Sequence, residues 1–267
     1  MMNNERIIVS MTSYPKRIGN VAKAIYFLLS TQTVKPDEIH LWLAEPEFPK
    51  RENDLPANLN RILEVFNEQI FIHWLPENTY CHKRHEIFKY TKDTDCVFVF
   101  DDDVKYNDRL IETVMNDHRR YPNAVINYNY YALHEYNGRR IIYNDIKCCT
   151  EPSVNIRYCG QSMIPSKVYP KECLTDEVEK IRDEICPICD ESWFTPWLVA
   201  NDVPVFCEHF GWGEDLSKEI NKWQGLCSTT HIREPNGFTR RENWLYAVLH
   251  AFPKLLDSYR NKFRYLA

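Results

Sequence analysis

Residues 96–106 have the sequence CVFVFDDDVKY, in which five apolar residues run directly into three carboxylates. A stretch that is apolar at every position is typical of a central strand in a parallel sheet that is covered on both faces. Ligands of such sheets collect outside the carboxyl ends of the strands. Three adjacent acids repel one another, and oxygen donors favour a hard cation such as Mg²⁺ or Mn²⁺. The stretch therefore predicts a divalent cation at the end of a buried strand.

The composition bounds the class of protein. The chain has 267 residues, of which 44% are hydrophobic and 27% charged, and its net charge is −5. These values are typical of a globular protein, and the acidic balance disfavours broad nucleic-acid binding. No apolar run approaches 18 residues, and residues 1–10 lack the pattern of a signal peptide. We therefore expect a cytoplasmic protein.

The chain contains 10 cysteines, and most of them lie in apolar segments, as free core thiols do. Cys186 and Cys189 are the one pair with metal or redox spacing. A structural zinc site would need a second such pair, and Cys148 and Cys149 lack the usual two-residue gap. The sequence therefore disfavours zinc at Cys186 and Cys189.

Three strand–helix units precede the acidic triplet. Strands are predicted at 6–13, 38–44 and 70–75, and helices at 18–30, 59–66 and 83–92. Because parallel strands need crossover helices, this alternation predicts an α/β/α sandwich. The point at which the strand order reverses is expected near the acids. Only 7 glycines occur, and no dinucleotide fingerprint or phosphate loop is present, so a nucleotide would be recognised by side chains.

The second half of the chain has a different pattern. Short strands are predicted at 123–131, 139–145, 157–164 and 203–207, which indicates a mixed extension of the sheet. Helices are predicted at 108–120, 175–184, 190–201 and 239–250, and the third of them is amphipathic. No linker or repeat interrupts the pattern, so we expect one domain over residues 1–267.

Four interpretations of the triplet are open. In a metal–diphosphate site, Asp101 and Asp103 lie on one side of the extended chain and Asp102 on the other. In a phosphatase of the haloacid-dehalogenase type, Asp101 would attack phosphorus, although that motif normally follows the first strand of its domain and here follows the fourth. The triplet could also belong to a protein that binds metal and sugar without turnover, or to an acid-rich helix start. The first interpretation is favoured.

A second pair of acids, Asp190 and Glu191, opens a predicted helix. Acids at this position can simply cap the helix. They can also serve as a general base, because deprotonating an acceptor hydroxyl needs a carboxylate on the acceptor side of a site. Trp193 follows, and an indole beside a carboxylate can hold a sugar ring, although a core position is the more usual one.

Other candidate side chains follow predicted strands. Four basic residues could face the acidic edge and neutralise a diphosphate; they are Lys16, Arg17, Lys83 and Arg84. His231 is a candidate additional metal ligand, although a lone histidine more often has no such role.

With these residues assembled, the chain resembles a GT-A fold glycosyltransferase of the family 2-like kind found in bacterial polysaccharide loci. Residues 8–18 (IVSMTSYPKRI) resemble the opening strand and nucleotide-side loop of such enzymes, and residues 41–45 (LWLAE) resemble their second strand. Residues 99–104 (VFDDDV) resemble their Asp-x-Asp motif, residues 157–162 (RYCGQS) the strand lining the donor sugar, and residues 190–194 (DESWF) the segment with the catalytic base.

The resemblance implies a role for each residue that matches a motif. Asp103 would bind Mn²⁺ or Mg²⁺ directly, and Asp101 would contact ribose or a metal-bound water, with His231 as a further ligand. Asp190 or Glu191 would be the base; the family's second acid is typically Asp, so the choice between them stays open. The nucleotide-side residues would be Thr12, Tyr14, Arg17, Glu45, Lys83, Asp101 and Asp102, and the sugar-side residues Gly160, Gln161 and Trp193.

The resemblance also implies a reaction. Residues 1–106 would form the nucleotide-binding half and residues 107–267 the acceptor-binding half of a hexosyltransferase-like enzyme. The enzyme would move sugar from a nucleotide-diphosphate donor to a glycan or lipid-linked acceptor, with inversion. Because such acceptors are often lipid-linked, the aromatic and basic segment 259–265 is a candidate for peripheral contact with the inner face of the membrane.

Overall fold

The computed structural model describes residues 5–127, 132–136, 139–143, 162–207, 213–215, 232 and 234–262. The strands are β1 (Ile7–Thr12), β2 (Glu38–Ala44), β3 (Ile70–Leu75), β4 (Cys96–Val99), β5 (Val104–Tyr106), β6 (Val125–Asn127), β7 (Ala132–Tyr136), β8 (Arg139–Tyr143), β9 (Ser162–Pro165), β10 (Val205–Cys207) and β11 (Gly213–Asp215). The α-helices are α1 (Ile18–Ser30), α2 (Ala57–Val65), α3 (Leu110–Arg120), α4 (Asp176–Ile185), α5 (Asp190–Ala200), α6 (Arg240–Ala251) and α7 (Pro253–Lys262). Short 3₁₀ segments span Glu45–Glu47, Arg51–Asp54, Tyr80–Lys89, Ser166–Val168 and Lys171–Leu174.

Seven of these strands form the central sheet, in the order β10-β6-β9-β4-β1-β2-β3. β9 runs antiparallel to both β4 and β6, and the other pairs are parallel. β5 pairs with β11 and β7 pairs with β8 in two small antiparallel sheets. The predicted mostly parallel sheet with a mixed extension is therefore confirmed.

The order in which the chain adds strands to the sheet reverses between β1 and β4. The chain adds β2 and β3 on one side of β1 and then returns to place β4 on the other side. Because a crevice forms where strand order reverses, ligands of open α/β sheets bind at such a point, outside the carboxyl ends of the strands. The acidic triplet follows β4 and emerges at this point, as predicted.

The core is divided between the two faces of the sheet. Phe98 lies in the cluster that packs against α1, α2 and α3, whereas Val97 and Val99 lie in the cluster that packs against α5, α6 and α7. Every residue from 96 to 100 is buried. The unbroken apolar pattern of this stretch is explained by burial on both faces of the strand.

Two predicted helices differ in the structure. The segment expected as an α-helix over 83–92 is the 3₁₀ helix Tyr80–Lys89, in which residues 82–85 are all buried. A surface α-helix buries only one face, so it cannot enclose four consecutive side chains. Helix α5 was expected to be amphipathic, yet it is buried on nearly every side, because α6 and α7 cover the face turned away from the sheet.

No helix in the described part of the chain is both long and apolar enough to cross a membrane.

Candidate functional site

The acidic triplet lies at the carboxyl ends of the central strands, which we call the acidic edge of the sheet. This edge is built from the segments that follow β1 and β4, together with the 3₁₀ helix Tyr80–Lys89. This helix is anchored to the sheet by Ser10 of β1, whose hydroxyl donates a 2.6 Å hydrogen bond to the carbonyl of Arg84. The same hydroxyl accepts a 3.0 Å bond from the indole of Trp42. Because Ser10 is buried, these bonds fix the backbone of Arg84 against the sheet.

Arg84 joins the two acidic segments that the sequence singles out. Its Nη1 donates to Asp101 Oδ1 at 2.7 Å, and its Nε and Nη2 donate to Asp190 Oδ2 at 2.9 and 2.5 Å. The Arg84 side chain is 7% exposed and that of Asp190 is 4% exposed, so this ion pair is buried. One guanidinium thus brings the triplet and the first residue of α5 into a single site.

The charge state of Asp190 follows from its partners. Burial alone would raise the pKa of its carboxyl, but the Arg84 charge and the His85 imidazole, whose Nε2 lies 3.4 Å from Asp190 Oδ2, outweigh burial and hold that pKa well below its usual range. Burial also lowers the pKa of His85, so this imidazole is neutral near pH 7. Asp190 is therefore a fixed anion and a weak proton acceptor.

Asp102 and Asp103 share a second guanidinium. Arg17 contacts both carboxylates, reaching Asp103 Oδ1 at 2.5 Å, and Ser13 donates a hydrogen bond to Asp102. Burial would lower the pKa of Arg17, but the two carboxylates outweigh it and raise that pKa. The expectation that Asp102 points away from its neighbours by strand alternation is wrong, because β4 ends at Val99 and Asp102 and Asp103 form a turn.

Tyr106 fixes the backbone of the triplet. Its hydroxyl oxygen accepts a 2.7 Å hydrogen bond from the N–H of Asp101, and its ring stacks on Phe100 at a centroid distance of 4.0 Å. Burial raises the pKa of Tyr106 well above its usual value, so the group remains a phenol. Sequence reasoning missed this role, because only the turn between β4 and β5 brings the ring back to Asp101.

Glu191 differs from Asp190 in exposure and in partners. Arg241 of α6 donates to Glu191 Oε1 at 3.0 Å, and the thiol of Cys189 lies 3.2 Å from Oε2. The Glu191 side chain is 14% exposed. Neither acid caps α5 through its side chain, since the helix has no side-chain cap bond. Glu191 is therefore the carboxylate of this pair that solvent reaches more readily.

The remaining nucleotide-side candidates occupy different environments. Thr12 donates to the carbonyl of Trp42, which ties β1 to β2, and the ring of Tyr14 lies 5.9 Å from the Arg17 guanidinium carbon. Lys83 is buried and donates to Asn78 at 2.7 Å and to Glu47 at 3.3 Å; burial lowers its pKa in spite of Glu47. Glu45 pairs with Arg51 near the end of β2.

Of the sugar-side candidates, only Trp193 lies in the part of the chain that the structure describes. Trp193 is 3% exposed and packs against Trp197 and Phe252, so its assignment as a sugar platform is wrong and it is a core residue. Its position in α5 faces the covering helices, which a local sequence pattern does not reveal. Gly160, Gln161 and His231 lie outside the described residues.

The acidic triplet offers a divalent cation separate carboxylates and not a preformed cluster of three ligand atoms. Among the residues that the structure describes, three ligand atoms of His, Cys, Asp or Glu lie within 4.8 Å of one another only at Glu5, Cys96 and His118, at the other edge of the sheet. Asp103 and Asp101 have side chains that are 17% and 35% exposed. A partly exposed carboxylate such as that of Asp103 can bind a hard cation whose other oxygen ligands come from a diphosphate and from water.

The strand order and the mostly parallel seven-stranded sheet define an α/β fold of the GT-A type. No family model matches the chain, and no curated protein matches it. Solved structures do match: that of S. aureus TarS residues 1–349 has 13% identity and a TM-score of 0.51, covering 97% of this chain and 73% of its own. TarS is a glycosyltransferase, and at this identity the likeness shows the fold alone.

Two further TarS structures match less closely. The 1–349 fragment in complex with UDP has 14% identity and a TM-score of 0.48, covering 78% of this chain. A further structure of S. aureus TarS has 12% identity and a TM-score of 0.45, covering 77% of this chain. The chain spans 59% of the fragment in the UDP complex and 37% of the other TarS chain.

Proposed function

We propose that the chain is a metal-dependent glycosyltransferase that moves a sugar, with inversion, from a nucleotide-diphosphate sugar to a hydroxyl of a glycan or lipid-linked acceptor. The observation that carries this proposal is the double contact of Arg84 with Asp101 and Asp190. It brings a donor-side acid and the acceptor-side acid pair to one end of the sheet. The GT-A type fold agrees with this chemistry.

Donor binding is assigned to the edge beyond β1 and β4. Asp103 would hold Mn²⁺ or Mg²⁺, which when bound supplies Lewis-acid neutralisation of the departing diphosphate. Arg17 is shared by Asp102 and Asp103 in this structure. If Asp103 bound the cation, Arg17 would keep Asp102 as its partner and could direct its remaining N–H donors to a phosphate oxygen.

Proton transfer is assigned to Glu191. A general base must accept a proton near neutral pH, and the lowered pKa of Asp190 makes that residue a weak acceptor. Glu191 is more exposed and has a single guanidinium, that of Arg241, among its contacts described above. Asp190 instead holds Arg84 in place, and Arg84 in turn orients Asp101. In-line attack by the deprotonated hydroxyl gives inversion.

The decisive experiment measures nucleotide release from a panel of uridine- and guanosine-diphosphate sugars, with Mn²⁺ or Mg²⁺ and a mixture of acceptors. Asp103→Asn is expected to lower kcat at least about 100-fold without unfolding the protein, since Arg17 retains Asp102 and electrostatic groups at reacting charges have effects of this size. The matched control is Asp93→Asn, which removes an exposed carboxylate at the other edge of the sheet. An Asp103→Asn variant that keeps most of its turnover would overturn the metal assignment.

The same assay separates the alternatives. A phosphatase would release phosphate from simple esters and form an aspartyl phosphate on Asp101. A binding protein would take up the nucleotide sugar with metal yet never release the nucleotide. Thermal unfolding gives a first indication, because a ligand that binds only the native state raises the midpoint. We expect uridine or guanosine diphosphate to raise it with Mn²⁺ present, and the absence of any such shift would count against the proposal.

The choice of base has its own test. Glu191→Gln is expected to abolish transfer while nucleotide binding persists, since the donor edge is unchanged. Asp190→Asn is expected to weaken both binding and folding, because it removes the more buried of the two carboxylates that contact the Arg84 guanidinium. A Glu191→Gln variant with normal transfer would exclude this residue as the base.

A further inference from the structure

A second group of side chains that could bind a metal lies at the amino ends of β1 and β4, at the opposite end of these strands from the acidic triplet. Glu5 precedes β1, Cys96 is the first residue of β4, and His118 lies in the last turn of α3. One ligand atom from each residue lies within 4.8 Å of the other two. These three residues, which we call the amino-edge triad, come from three separate elements of the fold.

The hydrogen bonding of His118 is incomplete. Its Nε2 lies 3.6 Å from Glu5 Oε1, which is too long for a hydrogen bond. Its Nδ1 is buried and has no hydrogen-bond partner in the described part of the chain. The side chain is 4% exposed, so solvent does not readily replace the missing partner. A buried polar atom left in this way costs free energy unless something else binds it.

A cavity of about 490 Å³ opens beside the triad. Its lining includes Glu5, Cys96 and His118, and charged side chains such as Asp93 and Lys167 complete its wall. Because Lys167 is exposed, the cavity is accessible from solvent. The cavity therefore gives an entry path and leaves room for a water molecule beside the three ligand atoms.

We propose that Glu5, Cys96 and His118 bind a zinc ion. A thiolate, an imidazole nitrogen and a carboxylate oxygen are the ligands that Zn²⁺ takes in proteins, and three of them leave the fourth tetrahedral position for water. The mixture of sulfur and nitrogen donors disfavours Mg²⁺ and Ca²⁺, which prefer oxygen. On binding, the Cys96 S–H bond breaks, its proton goes to solvent, and the thiolate forms a bond to the metal.

The proposed ion would act on the fold and not on the acidic site. It would link the segment before β1 to β4 and to α3, in addition to the backbone bond from the Cys96 N–H to the Arg6 carbonyl and the contact between Glu5 and His118. This zinc site is separate from the Mn²⁺ or Mg²⁺ of the proposed glycosyltransferase, so the two proposals stand or fall independently.

The test titrates metal-free protein with Zn²⁺ against a chromophoric chelator, with a phosphine as reductant. We expect the wild type to bind zinc tightly, and Glu5→Gln, Cys96→Ser and His118→Gln each to lower the affinity at least about 100-fold, above the effect usual for an outer-sphere partner. Asp93→Asn is the matched control, because it removes a carboxylate from the same cavity wall without touching the triad. Its affinity should equal that of the wild type.

A second control and a spectroscopic readout complete the design. Cys186→Ser removes a thiol of the rival pair of cysteines and should retain zinc. Co²⁺ in place of zinc should give thiolate charge-transfer absorption that Cys96→Ser abolishes. If Cys96→Ser does not fold, the affinity of Glu5→Gln decides, because Glu5 is partly exposed. The proposal is overturned if wild type binds no zinc, if the triad variants bind it normally, or if only Cys186→Ser loses it.

Discussion

Replacing Arg84 by glutamine is expected to destabilise the protein strongly. The change leaves Asp190 buried, with 4% of its side chain exposed and without the guanidinium that holds it. Removing one partner of a buried ion pair typically costs about 3–5 kcal/mol. A domain of this kind has a total stability of about 5–15 kcal/mol, so the loss is a large part of the whole. Urea unfolding, extrapolated to water, measures it.

A double-mutant cycle isolates the pair from other effects of the substitution. Asp190→Asn alone removes one carboxylate from Arg84 and leaves that of Asp101. In the double variant, neither buried charge of the pair remains. Contacting residues show coupling energies of about 0.5–3 kcal/mol, and we expect this pair to lie in the upper half of that range. The double variant should therefore be more stable than the sum of the single losses predicts.

The exposed pair Glu45 and Arg51 provides the matched control. It lies near the end of β2, with side chains that are 37% and 54% exposed. Exposed ion pairs contribute about 0–1 kcal/mol, so the cycle of Glu45→Gln and Arg51→Gln should give little coupling. If the Arg84 and Asp190 cycle gave no more coupling than this control, the view of Arg84 as the link between the two acidic segments would be refuted.

Three further outcomes are expected in the same unfolding assay. Trp193→Ala should cost about 3–5 kcal/mol, as truncation of a buried aromatic does, whereas an exposed sugar platform would lose little. Burial lowers the pKa of His82 to about 3, so the unfolded state binds more protons between that value and about 6.5. His82 should thus make stability fall as the pH drops below about 6.5, by up to about 1.4 kcal/mol per pH unit, and His82→Gln should reduce the slope by that amount without removing it, since burial also lowers the pKa of His73 to about 4. Thr239→Ala should cost about 1 kcal/mol, because it breaks the capping box with Glu242 at the start of α6.

The central sheet was predictable because its signal is local. Residues 96–100 are apolar throughout, and the structure buries them between two helical layers. The first three predicted strands agree with β1, β2 and β3 to within one residue at each end. For the buried strands β1, β2 and β4, burial is reflected in the strand's own residues, so no knowledge of a distant partner is needed.

The contacts of the site were less predictable because they depend on distant partners. Arg84 was recognised as a basic residue after a strand, but nothing near it in sequence indicates that it reaches both Asp101 and Asp190. The strand-alternation rule failed at Asp102 because the strand had already ended. Residues 82–85 (HKRH) are four consecutive polar residues, and a run without apolar positions departs from the pattern of an amphipathic helix, so it was the available signal.

The charges at the acidic edge explain why metal and donor are expected to bind together. The five carboxylates of Asp101, Asp102, Asp103, Asp190 and Glu191 contact the three guanidinium groups of Arg17, Arg84 and Arg241. His85 adds no charge near pH 7, and Lys83 is paired with Glu47. These contacts leave an excess of two negative charges, which repels a diphosphate. On the proposed function, a divalent cation held by Asp103 would neutralise that excess, so the nucleotide should bind well only when the metal is present.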